Sequence, residues 1–253
     1  MKNVGAYFCF ILAISLFRAH SGRGNEQRNS SSNSTELWAT KNHHSIPSSL
    51  SLPFEAIQEL PRHYKILDVG CGSGQDALAL SQMGFEVVGV DPNSAAIEEA
   101  NRTAQTRGLD AKFYVGSATN LPLESKKFDL VIFKAVFTVL GNTQDREFAL
   151  TEASRVANKD GKIMILDFLR TWTKPKYAWR YISGFMRYQD LGMFPVYDAK
   201  GALLYSAKHY SKTELDKLLK LTSWTIEALE CSKVLTRSGN AINGISLSAS
   251  RER

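Results

Sequence analysis

The chain has 253 residues, 22% of them charged, which suits one α/β domain with additions. Its net charge of +6 is carried by scattered Lys and Arg. No dense basic run interleaves with aromatic residues, so nucleic acid is not an expected partner. Three cysteines (Cys9, Cys71 and Cys231) are no disulfide framework, and no His or Cys pair has metal-ligand spacing, so no metal is expected.

Met1-Lys2-Asn3 precedes an apolar run from Val4 to Phe17, followed by the small residues Ala19 and Ser21. That pattern predicts a signal peptide over residues 1–21 and entry into the secretory pathway. It is short of the ~20 apolar residues of a spanning helix, so no integral membrane span is expected. Residues 22–49 are polar and rich in Ser and Asn, with glycosylation spacing at Asn29 and Asn33, and read as a linker. A Ser-rich stretch poor in acids also fits the second half of a bipartite plastid address.

From residue 50 onward the pattern is that of a folded domain. A lead-in helix is expected over Leu50–Leu60, closed by Pro61. Short runs rich in Val, Ile and Phe predict buried strands near 65–69, 86–90, 111–115, 128–133 and 162–168. Helical periodicity falls between them, near 75–83, 94–107 and 144–157. Ser211-Lys212-Thr213-Glu214 starts a helix running to about Leu221 as a capping box, and Ser223–Glu230 with Ile242–Ala249 complete a terminal strand pair. Leu169–Tyr210 breaks the alternation with ten aromatic residues and reads as a substrate lid over the ligand-binding edge of the sheet.

The most informative stretch is Lys65-Ile66-Leu67-Asp68-Val69-Gly70-Cys71-Gly72-Ser73-Gly74, followed by Val87-Val88-Gly89-Val90-Asp91. A strand entering a turn of alternating glycines and then a helix lets backbone N–H groups approach a ligand closely. The acid ending the next strand is placed to accept two hydrogen bonds from a ribose. The spacing G-x-G-x-G lacks the third-turn glycine of a dinucleotide fingerprint and suits a smaller, zwitterionic ligand.

These residues resemble the first motif of the class I S-adenosylmethionine-dependent methyltransferases. The resemblance continues over about residues 64–170. Phe113–Leu123 is similar to the family's third strand and adenine loop, Lys127–Phe133 to its fourth strand, and Arg155–Phe168 to its helix, glycine turn and fifth strand. It implies a Rossmann-like, doubly wound seven-stranded sheet, six strands parallel and one antiparallel, with helices on both faces. It also implies S-adenosyl-L-methionine as cofactor and methyl transfer to a small-molecule acceptor in the broad branch of quinone, sterol and natural-product enzymes. The expected cofactor residues are Asp68, Gly70, Gly72, Gly74, Asp91, Pro92, Ser117 and Ala118. Ser117 departs from the family, standing where many relatives carry an acid that accepts from the adenine amine. Lys134 is also unusual after the fourth strand. With Phe137, Trp172 and Tyr210 it is expected to meet the substrate.

Methyl transfer from a sulfonium chiefly needs alignment and exclusion of water. A base is required only for a protonated amine, hydroxyl or carbon acid. The candidates are Asp167, at the end of the fifth strand, and His209, favoured because histidine titrates near neutrality. Two rival readings are carried. One is a non-catalytic cofactor-binding protein of the same fold. The other is a nicotinamide-dependent oxidoreductase, for which Tyr177-Ala178-Trp179-Arg180-Tyr181 does not supply a Tyr-x-x-x-Lys. The sequence does not set the oligomeric state.

Overall fold

In the computed structural model, residues 38–39, 49–198, 200–236 and 239–251 are described. The expected signal peptide and most of the expected linker lie outside them. In chain order the elements are α1 (Phe54–Gln58), β1 (Lys65–Val69), α2 (Gln75–Gln82), β2 (Glu86–Asp91), α3 (Ser94–Arg107), β3 (Ala111–Val115), β4 (Phe128–Lys134), α4 (Thr143–Val156) and β5 (Ala157–Leu169). There follow α5 (Pro175–Tyr188), β6 (Met193–Tyr197), β7 (Leu203–Lys208), α6 (Lys212–Leu221), β8 (Trp224–Leu235) and β9 (Ala241–Arg251).

Seven strands form one sheet in the order β3-β2-β1-β4-β5-β9-β8, and β6 pairs with β7 as a separate hairpin. The pairs from β3 through β5 are parallel. β9 is antiparallel to both β5 and β8, so β8 runs with the first five strands and β9 alone opposes them. This is a Rossmann-like α/β sheet, six strands against one.

Alternation along the strands sends neighbouring residues to opposite faces. Leu67, Val131, Phe133 and Ile163 pack with Leu150 of α4 and Leu215 of α6. Ile66, Leu130, Ile132 and Leu166 face the other way and pack with Leu80 of α2, Ile97 of α3 and Tyr181 of α5. Apolar content on both faces therefore follows from helices covering both. Asn101, on α3, ties that helix to β3: its amide donates to Phe113 O at 3.1 Å and accepts from Phe113 N–H at 3.2 Å.

Two boundaries differ from expectation. The lead-in helix is only Phe54–Gln58, because Pro53 stands at its N-cap while Leu50 and Leu52 are buried without helical structure. The fifth strand begins ahead of the expected glycine turn, at Ala157, which pairs with Phe128 before a register shift. The expected turn is that shift: residues 158–161 loop out between the Phe128–Ala157 and Leu130–Lys162 pairs, and Asn158 Oδ1 accepts from Asp160 N–H at 3.1 Å.

Candidate functional site

The end of β1 turns through Gly70, Gly72 and Gly74, with φ of 75°, 55° and 78°. These are left-handed values that side chains rarely adopt. A Cβ at Gly70 would lie 2.5 Å from Val136 Cγ2, and one at Gly74 would lie 2.6 Å from the Phe113 ring. The turn is stitched to β2. Gly70 N–H donates to Val90 O at 2.7 Å, and Gly72 N–H donates to Asp91 Oδ2 at 2.9 Å. Asp91 Oδ1 accepts from Asn93 N–H at 2.9 Å, and Asn93 caps α3 by accepting from Ala96 N–H at 3.0 Å. One carboxylate thus holds the glycine turn and the Asp91-Pro92-Asn93 corner in register. The loop after β3 lies alongside: Gly116 N–H donates to Asp91 O at 3.1 Å, and Ser117 Oγ accepts from Thr119 N–H at 3.2 Å, setting the backbone around Ala118.

The charges at this edge belong together. Lys134, ending β4, forms an ion pair with Asp76 in the first turn of α2. Asp68 is buried beside them, and its carboxyl is pushed up to about 7 by loss of solvent and then by Asp76, with Lys134 pulling it down. Three acids (Asp68, Asp76 and Asp91) therefore face one lysine. Lys134, expected to meet the substrate, is ion-paired with Asp76, 58 positions earlier in sequence.

The expected bases lie deeper. Asp167 is buried and pushed up to about 7 by loss of solvent, while its oxygens accept from Thr138 N–H at 3.0 Å and Phe168 N–H at 2.7 Å. His209 is buried among the rings of Phe168, Tyr177, Tyr181 and Phe194, and its Nδ1 is 2.8 Å from the Tyr181 hydroxyl. Burial lowers its pKa to about 3, with Arg180 adding in the same direction. The expectation that His209 titrates near neutrality is therefore corrected: the imidazole is a neutral core group.

Two expected substrate contacts are also core residues. Phe137 is fully buried edge-on against Phe133. Tyr210 is buried, and its hydroxyl donates to Phe137 O at 2.6 Å. Trp172 remains half exposed, its ring edge-on to Tyr181.

Two residues missed in the sequence belong to this region. Arg146 of α4 is buried, donates from Nη2 to Leu140 O at 2.7 Å and from Nε to Phe137 O at 3.4 Å, and lies 3.7 Å from Asp190. It fixes the 135–140 loop that follows β4. Trp38 accepts at its carbonyl from Asn93 Nδ2 at 3.3 Å, with its ring 5.1 Å from that of Tyr205. A lone Trp in a polar segment was its only signal.

A zwitterion with a ribose fits this donor set. The acids suit an ammonium and a diol, Lys134 suits a carboxylate, and the glycine turn leaves room for a close backbone approach. The methyltransferase domain family matches residues 67–165. A methyltransferase of Bacillus subtilis strain 168, itself uncharacterised, is 31% identical over 110 residues, covering 43% of this chain and 42% of its own length. The demethylmenaquinone methyltransferase of Thermus thermophilus is 36% identical over 115 residues, covering 45% and 50%. The chain thus spans about half the length of the curated relatives it matches. A solved S-adenosylmethionine-dependent methyltransferase of Methanosarcina mazei superposes with a TM-score of 0.74 at 29% identity, covering 79% of this chain and 98% of that one.

Proposed function

We propose that this chain, whose residues 67–165 match a methyltransferase domain on the class I methyltransferase fold, transfers a methyl group from S-adenosylmethionine to a small, partly apolar acceptor. One observation carries the reading: Asp91 binds Gly72 N–H and Asn93 N–H at once, so the ribose acid and the glycine turn are built as one unit. When bound, S-adenosylmethionine would supply an electrophilic methyl that the acceptor attacks in line, the methyl–sulfur bond breaking as S-adenosylhomocysteine leaves as a neutral thioether. The remaining work falls to the chain. Asp91 holds the ribose hydroxyls, and Asp68 with Asp76 meets the ammonium of the aminoacyl arm. Lys134 meets its carboxylate, and the loop around Ala118 borders the adenine. Asp167 and His209 act as positioning residues, the first by holding Thr138 N–H and the second by filling the aromatic core beneath the inserted segment. The acceptor side is supported by half-exposed Trp172 and by relatives named for quinone substrates.

Calorimetry with S-adenosylmethionine, followed by an assay for S-adenosylhomocysteine release with small aromatic and quinone acceptors, tests the proposal. Binding with turnover supports it. Binding without turnover against a broad acceptor set moves the assignment to a non-catalytic cofactor-binding protein, and no binding by folded protein overturns it.

The electrostatics of Asp68 add a sign. Its carboxyl is held at about 7 without ligand, yet it must be ionised to meet an ammonium. Cofactor affinity therefore falls as pH drops below about 7, approaching about tenfold per pH unit, and levels off above it. Lys134→Met removes the cation that holds Asp68 down, so the midpoint of this profile moves to higher pH. A binding profile flat from pH 5.5 to 8, roughly the span over which such a group titrates, would remove Asp68 from the site. We further propose that residues 1–21 are a signal peptide removed on secretory entry; N-terminal sequencing of the mature protein would show a start after residue 21, and an intact Met1 would overturn this.

A further inference from the structure

The helix of the inserted segment has two apolar stripes. Tyr177, Tyr181 and Gly184, spaced i, i+4 and i+7, are buried. Trp179, Ile182 and Met186, spaced i, i+3 and i+7, lie on the opposite side with Phe185 beside them, and all four are exposed. Trp179 is 70% exposed and Met186 50%. The outer stripe cannot turn inward. A Cβ at Gly184 would fall 1.7 Å from Met193 O, so α5 sits on the hairpin with no room to rotate. The Tyr181 hydroxyl is also fixed, against His209 Nδ1 and by accepting from Thr171 N–H at 3.2 Å.

Charge identifies the occupant. Residues 170–189 contain five cations (Arg170, Lys174, Lys176, Arg180 and Arg187) and no acid. Arg170 is spent on Glu214, and Arg180 lies over the Tyr177 and Phe194 rings. Lys174, Lys176 and Arg187 are exposed, and at 100° per residue Lys176 and Arg187 fall on one flank of the outer stripe. A symmetric pair of copies joined through this stripe would bring cationic surfaces together. An aromatic and aliphatic stripe with a basic flank is instead the pattern of a helix lying in a bilayer interface. No helix among the described residues is long and apolar enough to cross a membrane.

We propose that α5 docks in plane on an anionic lipid surface, seating Trp179, Ile182 and Met186 among the acyl chains with Lys176 and Arg187 at the headgroups. The inference stands on this helix alone, independent of methyl transfer. Flotation of the full chain with phosphatidylcholine vesicles, with and without phosphatidylglycerol, tests it. The expected result is a preference of about tenfold or more for the anionic vesicles, since each surface cation adds about 1 kcal/mol, a factor of roughly five. Trp179→Ser with Met186→Ser abolishes flotation, and Lys176→Glu with Arg187→Glu removes the preference. Each variant is checked for unchanged melting temperature and cofactor affinity, which separates failure here from failure of the methyl-transfer reading. Three results overturn the proposal: no flotation of the wild type, equal flotation of every variant (binding then belongs to the apolar run 4–17), or a dimer that Trp179→Ser dissolves without vesicle binding.

Discussion

Asp91→Ala lowers affinity for S-adenosylmethionine by about two to four decades and leaves the sheet folded. Two charge-assisted hydrogen bonds to a ribose are worth about 1.5–3 kcal/mol each, and about 1.4 kcal/mol is a decade of affinity. The same change also releases Gly72 N–H and Asn93 N–H, so the glycine turn loses its tether to β2 as well as its ligand contact. Asp91→Asn retains one acceptor oxygen and falls between the two. Calorimetry with a parallel thermal melt separates lost binding from lost fold. An affinity within about threefold of wild type, less than one such hydrogen bond is worth, would sink the ribose assignment.

Arg146→Met destabilises the protein by about 1–3 kcal/mol, the cost of leaving a buried carbonyl without its donor, since Asp190 keeps Lys208 and Phe137 O keeps the Tyr210 hydroxyl. The guanidinium satisfies two carbonyls of the 135–140 loop, lies near Asp190, and sits over the Tyr210 ring at 5.6 Å. Methionine fills the space but leaves Leu140 O without its donor and removes the cation that holds Asp167 down. Arg146→Lys restores little, because an ammonium lacks the planar fork that reaches Leu140 and Phe137 together. Urea unfolding measures the loss, and a value under about 1 kcal/mol, the worth of an ordinary neutral hydrogen bond, would show that Arg146 does not anchor the loop.

The doubly wound core was legible because each of its requirements is local. Both-face burial writes strands as apolar runs, the left-handed turn requires glycines at 70, 72 and 74, and the ribose acid must end the next strand. The capping box at Ser211 and Glu214 was readable for the same reason, and both halves of it form. What could not be read depends on residues distant in sequence. The more apolar stripe of α5, 179/182/186, is the exposed one and the 177/181/184 stripe is buried, because the hairpin decides which is covered. Phe137, Tyr210 and His209 look like substrate-facing groups until β5, α5 and the hairpin close around them. Arg146 reads as one more charge on a solvated helix, since nothing near it announces the loop carbonyls it satisfies. Lys134 has a partner on a different element. Propensity and spacing found the scaffold, while inside and outside in the inserted segment were set by tertiary contact.

The position of β9 governs the order in which this molecule can be completed. It lies between β5 and β8, yet of the seven strands of this sheet it is the last to leave the ribosome. Until residues 241–251 emerge, β5 has only β4 as a neighbour, and its other edge, bearing Ile163 and Ile165, lacks a strand. At synthesis rates of about 5–20 residues per second the interval after β5 lasts several seconds. An apolar strand edge exposed for that long is a template for pairing with another nascent chain. The yield of native protein is thus set by a race between arrival of the final strand and capture of that edge, one that chaperones holding the nascent chain are suited to decide.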